Sequence, residues 1–142
     1  MFLSSRALCL SVVLMPLLVG APARATTEHA YTAEAGLVRV DRRNADFDTR
    51  LAVVGPVPAA GARITQVSYR WRYENPQPGM SVMLCQERGR CIDVTDAGER
   101  RTAAFAGSDP SRPFYFRTRV GGKGGMLPLL GHSAQIIVNW TE

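Results

Sequence analysis

Two histidines, three cysteines and a closely spaced pair of aspartates are the side chains here best suited to chemistry. His132 precedes Ser133, and Ser108 lies upstream, so an imidazole base with a serine nucleophile is the first arrangement to test. Neither serine sits in a Gly-x-Ser-x-Gly elbow, and no His-Glu-x-x-His is present. Asp46 and Asp48 could share acid–base work, but Arg42, Arg43 and Arg50 lie nearby in a loop-like stretch. That composition reads as a solvated charge cluster. His29 lies close to the start of the chain, and no His, Cys, Asp or Glu set has metal-ligand spacing. The expectation is therefore no enzyme, no metal and no cofactor.

Two basic features remain. Gly121-Gly122-Lys123-Gly124-Gly125 resembles a phosphate loop in composition only. It lacks the Gly-x-x-x-x-Gly-Lys-Ser/Thr spacing, and Pro128 follows too soon for a helix. It reads as a flexible connection whose Lys123 could meet a protein partner. Arg70, Arg72, Arg117 and Arg119 interleave with aromatic residues, as in some single-strand nucleic-acid binders. Strand parity sends Tyr69, Trp71, Phe114 and Phe116 to the side opposite the arginines, so no stacking platform forms. These arginines are candidates for a solvated or protein-binding face, not for a nucleic-acid site.

The elements that position these groups begin after a leader. Arg6, an uncharged apolar run from Ala7 to Val19, and Ala23-Arg24-Ala25 form the three parts of a secretory signal. The run is shorter than the ~20 residues a membrane span needs. Cleavage between Ala25 and Thr26 would leave residues 26–142 as a single domain without membrane insertion, exported through the inner membrane to the periplasm. It would also lower the net charge from +5 to +3 and leave two cysteines. An even pair in an oxidising compartment reads as a structural disulfide, Cys85–Cys91, because five intervening residues fit neither a redox nor a zinc pair.

Hydrophobic period two dominates the rest. Val67, Tyr69, Trp71 and Tyr73 alternate with Gln66, Ser68, Arg70 and Arg72. Val38 and Val40 alternate with Arg39 and Asp41 in the same way. Val82 and Leu84 face Ile92 and Val94 across a hairpin, with both cysteines on its other face. Phe114, Phe116, Thr118 and Val120 form a further strand, and Ile136, Val138 and Trp140 the last. Asn75-Pro76-Gln77-Pro78-Gly79 is turn chemistry. Helix is expected only in short pieces, around Ala33 or between Gly98 and Ala104. The fold class is all-β: a small antiparallel β-sandwich, or a partly open barrel, with one hairpin disulfide.

Read in order, Trp71-Arg72-Tyr73, Pro78-Gly79, Val82-x-Leu84-Cys85 and Cys91 resemble the flagellar protein FlhE family. The resemblance continues through Ala104-Phe105-Ala106-Gly107, Phe116, Val120-Gly121-Gly122, Leu127-Pro128 and Ile137-Val138-Asn139-Trp140. Two turns depart from that pattern: the spacer between the cysteines is about one residue longer, and residues are added around Lys123-Gly124. The resemblance implies a periplasmic, non-enzymatic accessory of the flagellum with rod or export-apparatus proteins as partners; a monomer is the separate expectation for the chain itself. Its implied roles are chaperoning rod subunits and limiting proton leakage through the type III export channel. The rival expectation is a secreted β-sandwich that binds a small ligand or hydrolyses a substrate.

Overall fold

A computed structural model of the chain describes Ala23 and residues 26–142. The expected signal segment lies outside the described residues apart from Ala23, as does Ala25 of the expected cleavage site. Thr26 is exposed, just ahead of the first strand.

The described residues form nine strands: β1 (Glu28–Gly36), β2 (Asp46–Arg50), β3 (Ala52–Val54), β4 (Arg63–Arg70), β5 (Met80–Gln86), β6 (Cys91–Asp93), β7 (Glu99–Thr102), β8 (Phe114–Val120) and β9 (Ser133–Thr141). They form two antiparallel sheets, ordered β3-β1-β9-β4-β7 and β2-β8-β5-β6, that face each other without closing into a barrel. Alternation decides what lies between them. Val67 and Tyr69 of β4, Tyr31 and Ala33 of β1, and Ile136, Val138 and Trp140 of β9 bury one face of the first sheet. Val82, Leu84, Phe114, Phe116, Thr118 and Val120 bury the facing side of the second. Phe105, from the turn after β7, plugs one end edge-on against Phe114, with ring centroids 5.0 Å apart.

The hairpin forms in the expected register. Leu84 opposes Ile92 and Cys85 opposes Cys91, with Cα atoms 4.0 Å apart across the disulfide. Cys85 is fully buried and Cys91 exposed, so the bridge closes the turn from outside the main core. Closing so short a loop contributes about 2 kcal/mol in the chain-entropy treatment.

Four expectations are corrected. Residues near Ala33 and residues 99–102 are strands, not helix. Ala-Glu-Ala favours helix locally, but nine-residue pairing on β9 buries Tyr31 and Ala33 and outweighs a propensity of tenths of a kcal/mol. Residues 38–41 are not a strand. After Gly36 the chain crosses between the sheets, burying Leu37 and Val40 three residues apart, with one bridge from Val40 to Leu129. Asp46 and Asp48 lie in strand β2 rather than a loop, directly opposite Arg119 and Arg117. Finally, the glycine segment is clamped. Arg43 Nη1 donates to Gly121 O at 2.7 Å, Asn44 Nδ2 donates to Gly122 O at 2.9 Å, and Gly121 N donates to Gly79 O at 2.9 Å.

Candidate functional site

The structure separates the four arginines singled out from the sequence. Arg70 ends β4 on the outer face of the first sheet, with Arg72 exposed just beyond it. Arg117 and Arg119 project from β8 on the outer face of the second sheet, at the back of the sandwich. Lys123 is exposed at the tip of the clamped glycine loop.

The second-sheet pair is already occupied. Arg117 makes a two-pronged contact with Asp48, Nε to Oδ1 at 2.8 Å and Nη2 to Oδ2 at 2.9 Å. Arg119 Nη1 reaches Asp46 Oδ1 at 3.2 Å. The hydrogen bonds from Asp48 push the Arg117 guanidinium further above its ordinary value, with partial desolvation opposing them. The pairing is solvent-exposed, which limits it to about 0–1 kcal/mol. Both carboxylates thus face guanidinium groups in β-register instead of each other, and the acid–base pair suggested by their spacing does not form.

The histidines are also dispersed. His29 stacks on Trp140 with centroids 5.7 Å apart. His132 N donates to Arg72 O beyond the C-terminal end of β4, whereas Ser108 O accepts from Ile64 N near the strand's start. Eight residues of strand place those ends roughly 25 Å apart. His132 Nε2 is buried and, among the described residues, has no hydrogen-bond partner, so it holds no serine hydroxyl of theirs, that of adjacent Ser133 included. Among the described residues, no three His, Cys, Asp or Glu side chains converge as a metal set.

Buried polar groups instead tie the layers together. The Tyr31 hydroxyl donates to Pro110 O at 2.9 Å. The Tyr73 hydroxyl lies 3.1 Å from both Val38 O, to which it donates, and Thr118 Oγ1, from which it accepts. Burial, reinforced by the nearby Asp109 charge, pushes Tyr31 well above the ordinary value of 10.0. Folded protein therefore holds a proton that the unfolded chain releases above pH ~10, and stability falls as pH rises through that range. Unfolding free energies from urea titrations between pH 8 and 11 are expected to decline above pH ~10, with Tyr31 contributing up to about 1.4 kcal/mol per pH unit. The slope should be shallower in Tyr31→Phe.

What remains is the rim of the first sheet, and its two edges differ. β3 is Ala-Val-Val, uncharged and, among the described residues, paired only with β1 through Thr32–Val54, Ala33–Val53 and Glu34–Ala52. Val53 and Val54 are 51% and 60% exposed, and Val57 just beyond is 86% exposed. β3 is only three residues long and runs into Gly55-Pro56, which limits the backbone it offers, but its rim carries no charge to repel another strand. The sequence reading missed β3, although a β-branched run ending at Gly55-Pro56 was a usable signal. β7, at the opposite edge, is Glu-Arg-Arg-Thr.

Comparison with known proteins adds an independent line. The model of the family described as flagellar protein FlhE matches residues 41–141. The crystal structure of FlhE superposes with a TM-score of 0.71 at 28% identity, covering 81% of this chain and 98% of that one. A chain of the cyanophage Pam1 capsid asymmetric unit superposes at a TM-score of 0.51 and 10% identity, covering 89% of this chain and 93% of that chain, a likeness of fold alone. No curated protein matches the sequence significantly.

Proposed function

The chain belongs to the flagellar protein FlhE family, and from that premise we propose that this flagellar accessory protein works in the periplasm, without catalysis, by capping assembly-prone segments of flagellar rod subunits. Periplasmic action is supported by the Cys85–Cys91 disulfide, which persists in oxidising compartments, and by the signal-like leader.

The observation that carries the chaperone reading is the uncharged, exposed β3 edge. Rod subunits released before assembly must not join one another. A strand laid along β3 would satisfy its own backbone groups and take two half-exposed valines as side-chain contacts. Occupying the export channel as a proton seal is the other role consistent with the family. It would require a stable contact with the export gate instead of with rod subunits.

Val53→Lys/Val54→Lys tests the choice. Both side chains are more than half exposed, so the fold should change by no more than about 0.5 kcal/mol. Binding to purified rod subunits in a pull-down titration should weaken at least tenfold (about 1.4 kcal/mol). A deletion strain complemented with this variant should behave like the deletion. Full rod binding by the variant would exclude β3 as the contact. Absence of rod binding by the wild-type chain would exclude the chaperone reading itself.

A further inference from the structure

The other edge of the first sheet carries different chemistry. Among the described residues β7 pairs only with β4, and none of them pairs with the rim on its far side. Glu99 stands opposite Arg70 and Arg101 opposite Ser68 on the outer face, while Arg100, opposite Tyr69, reaches solvent past the sheet margin. Two open depressions of about 460 and 590 Å³ adjoin there and share Arg70 and Glu99. Arg100 and Arg101 line the first, and Arg72 lines the second. All four arginines are exposed. Among the described residues none of them is in an ion pair, unlike Arg117 and Arg119 on the other sheet. Among the described residues Glu99 is the only carboxylate lining either depression.

We propose that this corner binds an extended acidic segment of a partner protein, added as a strand on β7 with its carboxylates held by Arg70, Arg72 and Arg101 on the outer face and by Arg100 at the sheet margin. Four guanidinium groups gathered against one carboxylate produce a positive local field that an anionic ligand relieves. The open rim selects a peptide, because alternating backbone donors and acceptors match another strand. The arginines select its sign. They reject uncharged strands, and they reject a second copy of β7, which would bring arginine against arginine.

Nucleic acid fits less well. Tyr69 and Trp71 are 6% and 8% exposed, leaving no aromatic face on which a base can stack. A lipid surface also fits poorly, since Ile137 is the one apolar residue of the lining among the exposed large hydrophobics. The site goes beyond the role assigned to β3. Four inter-strand spacings, roughly 19 Å, separate the two edges, so one partner strand cannot cover both.

Fluorescence anisotropy on the purified full chain, disulfide formed, tests the proposal with a labelled peptide of about eight residues alternating Asp and Thr. At about 50 mM salt, where screening is weak, the Asp peptide should bind at least tenfold more tightly than its Asn counterpart. Arg100→Glu/Arg101→Glu should weaken it at least tenfold, as should N-methylation of alternate peptide amides. Arg39→Glu, an equal change of charge per site on the exposed loop after β1, should leave binding unchanged. Thermal melts confirm that each variant is folded. Equal affinity for the Asp and Asn peptides, or unchanged binding by the charge-reversed variant, would overturn the proposal. So would tighter binding of a single-stranded oligonucleotide or of anionic vesicles than of the Asp peptide. These variants leave β3 intact, so failure here and failure of rod capping are separately visible.

Discussion

Ile136→Ala should lower the unfolding free energy by about 3–4 kcal/mol, whereas Ile137→Ala, one residue further along the same strand, should lower it by less than about 1 kcal/mol. The chemical change is the same at both positions. Ile136 is fully buried between the sheets, opposite Tyr69 on one side and Ala33 on the other. Its truncation leaves a cavity lined by residues of a central strand that is held on both flanks and cannot collapse. Ile137 is 41% exposed on the outer face, so its methyl groups already meet water. Urea denaturation of the two variants reads the difference as a shift in midpoint at constant slope. Against a total stability of about 5–15 kcal/mol, the first variant loses a large share and the second little. Equal losses would mean that the outer face is covered, or that the register of β9 is wrong by one residue.

Gly131→Ala should cost about 2–4 kcal/mol, although it adds a single methyl group. A Cβ at this position would sit 2.5 Å from Leu37 O and 2.8 Å from Leu37 C, and would also collide with Leu37 Cβ. Backbone cannot give way as a flexible side chain can. The crossing between the sheets depends on this approach: Leu37 N donates to His132 O at 2.8 Å, and Tyr73 bridges to Gly131. Displacing Leu37, which is 6% exposed, would also strain the neighbouring contact of Val40 with Leu129. Gly125→Ala provides the comparison. A Cβ there meets nothing within 4 Å, and the change should move stability by less than about 0.5 kcal/mol. Thermal denaturation of both variants checks the contrast. A neutral Gly131→Ala would show that the two crossing segments stand further apart.

The strands with one apolar and one polar face were legible because their period of two is written in side-chain type. Phe114 to Val120 and Ser133 to Thr141 bury the alternate residues that their sequence indicated. The Cys85–Cys91 pair was legible for a local reason, since a six-residue separation in a hairpin brings opposite positions together. β1, β2 and β7 were not read as strands, and β3 was missed. Their residues are alanine, charged groups and short apolar runs, whose local preferences are weak or point elsewhere. Each becomes a strand because a neighbour offers an unpaired rim: β9 for β1, β8 for β2 and β4 for β7. No property of Glu-Arg-Arg-Thr alone says that β4 is waiting beside it.

The candidate site divides in the same way. Sequence identified Arg70, Arg72, Arg117 and Arg119 as wet-face cations, because parity assigns a face within one strand. It could not say which strands share a sheet, and so it grouped residues that belong to opposite sides of the sandwich. Only the tertiary structure paired Arg117 and Arg119 with Asp48 and Asp46, leaving Arg70 and Arg72 to join Arg100 and Arg101 at an open edge. The sequence by itself determined the β class, the buried face of its main strands, the disulfide and the family resemblance, all carried by local order along the chain. Strand order, the two uncovered edges and the close approach at Gly131 were decided in three dimensions, because each depends on which backbone rim finds a partner far away in sequence.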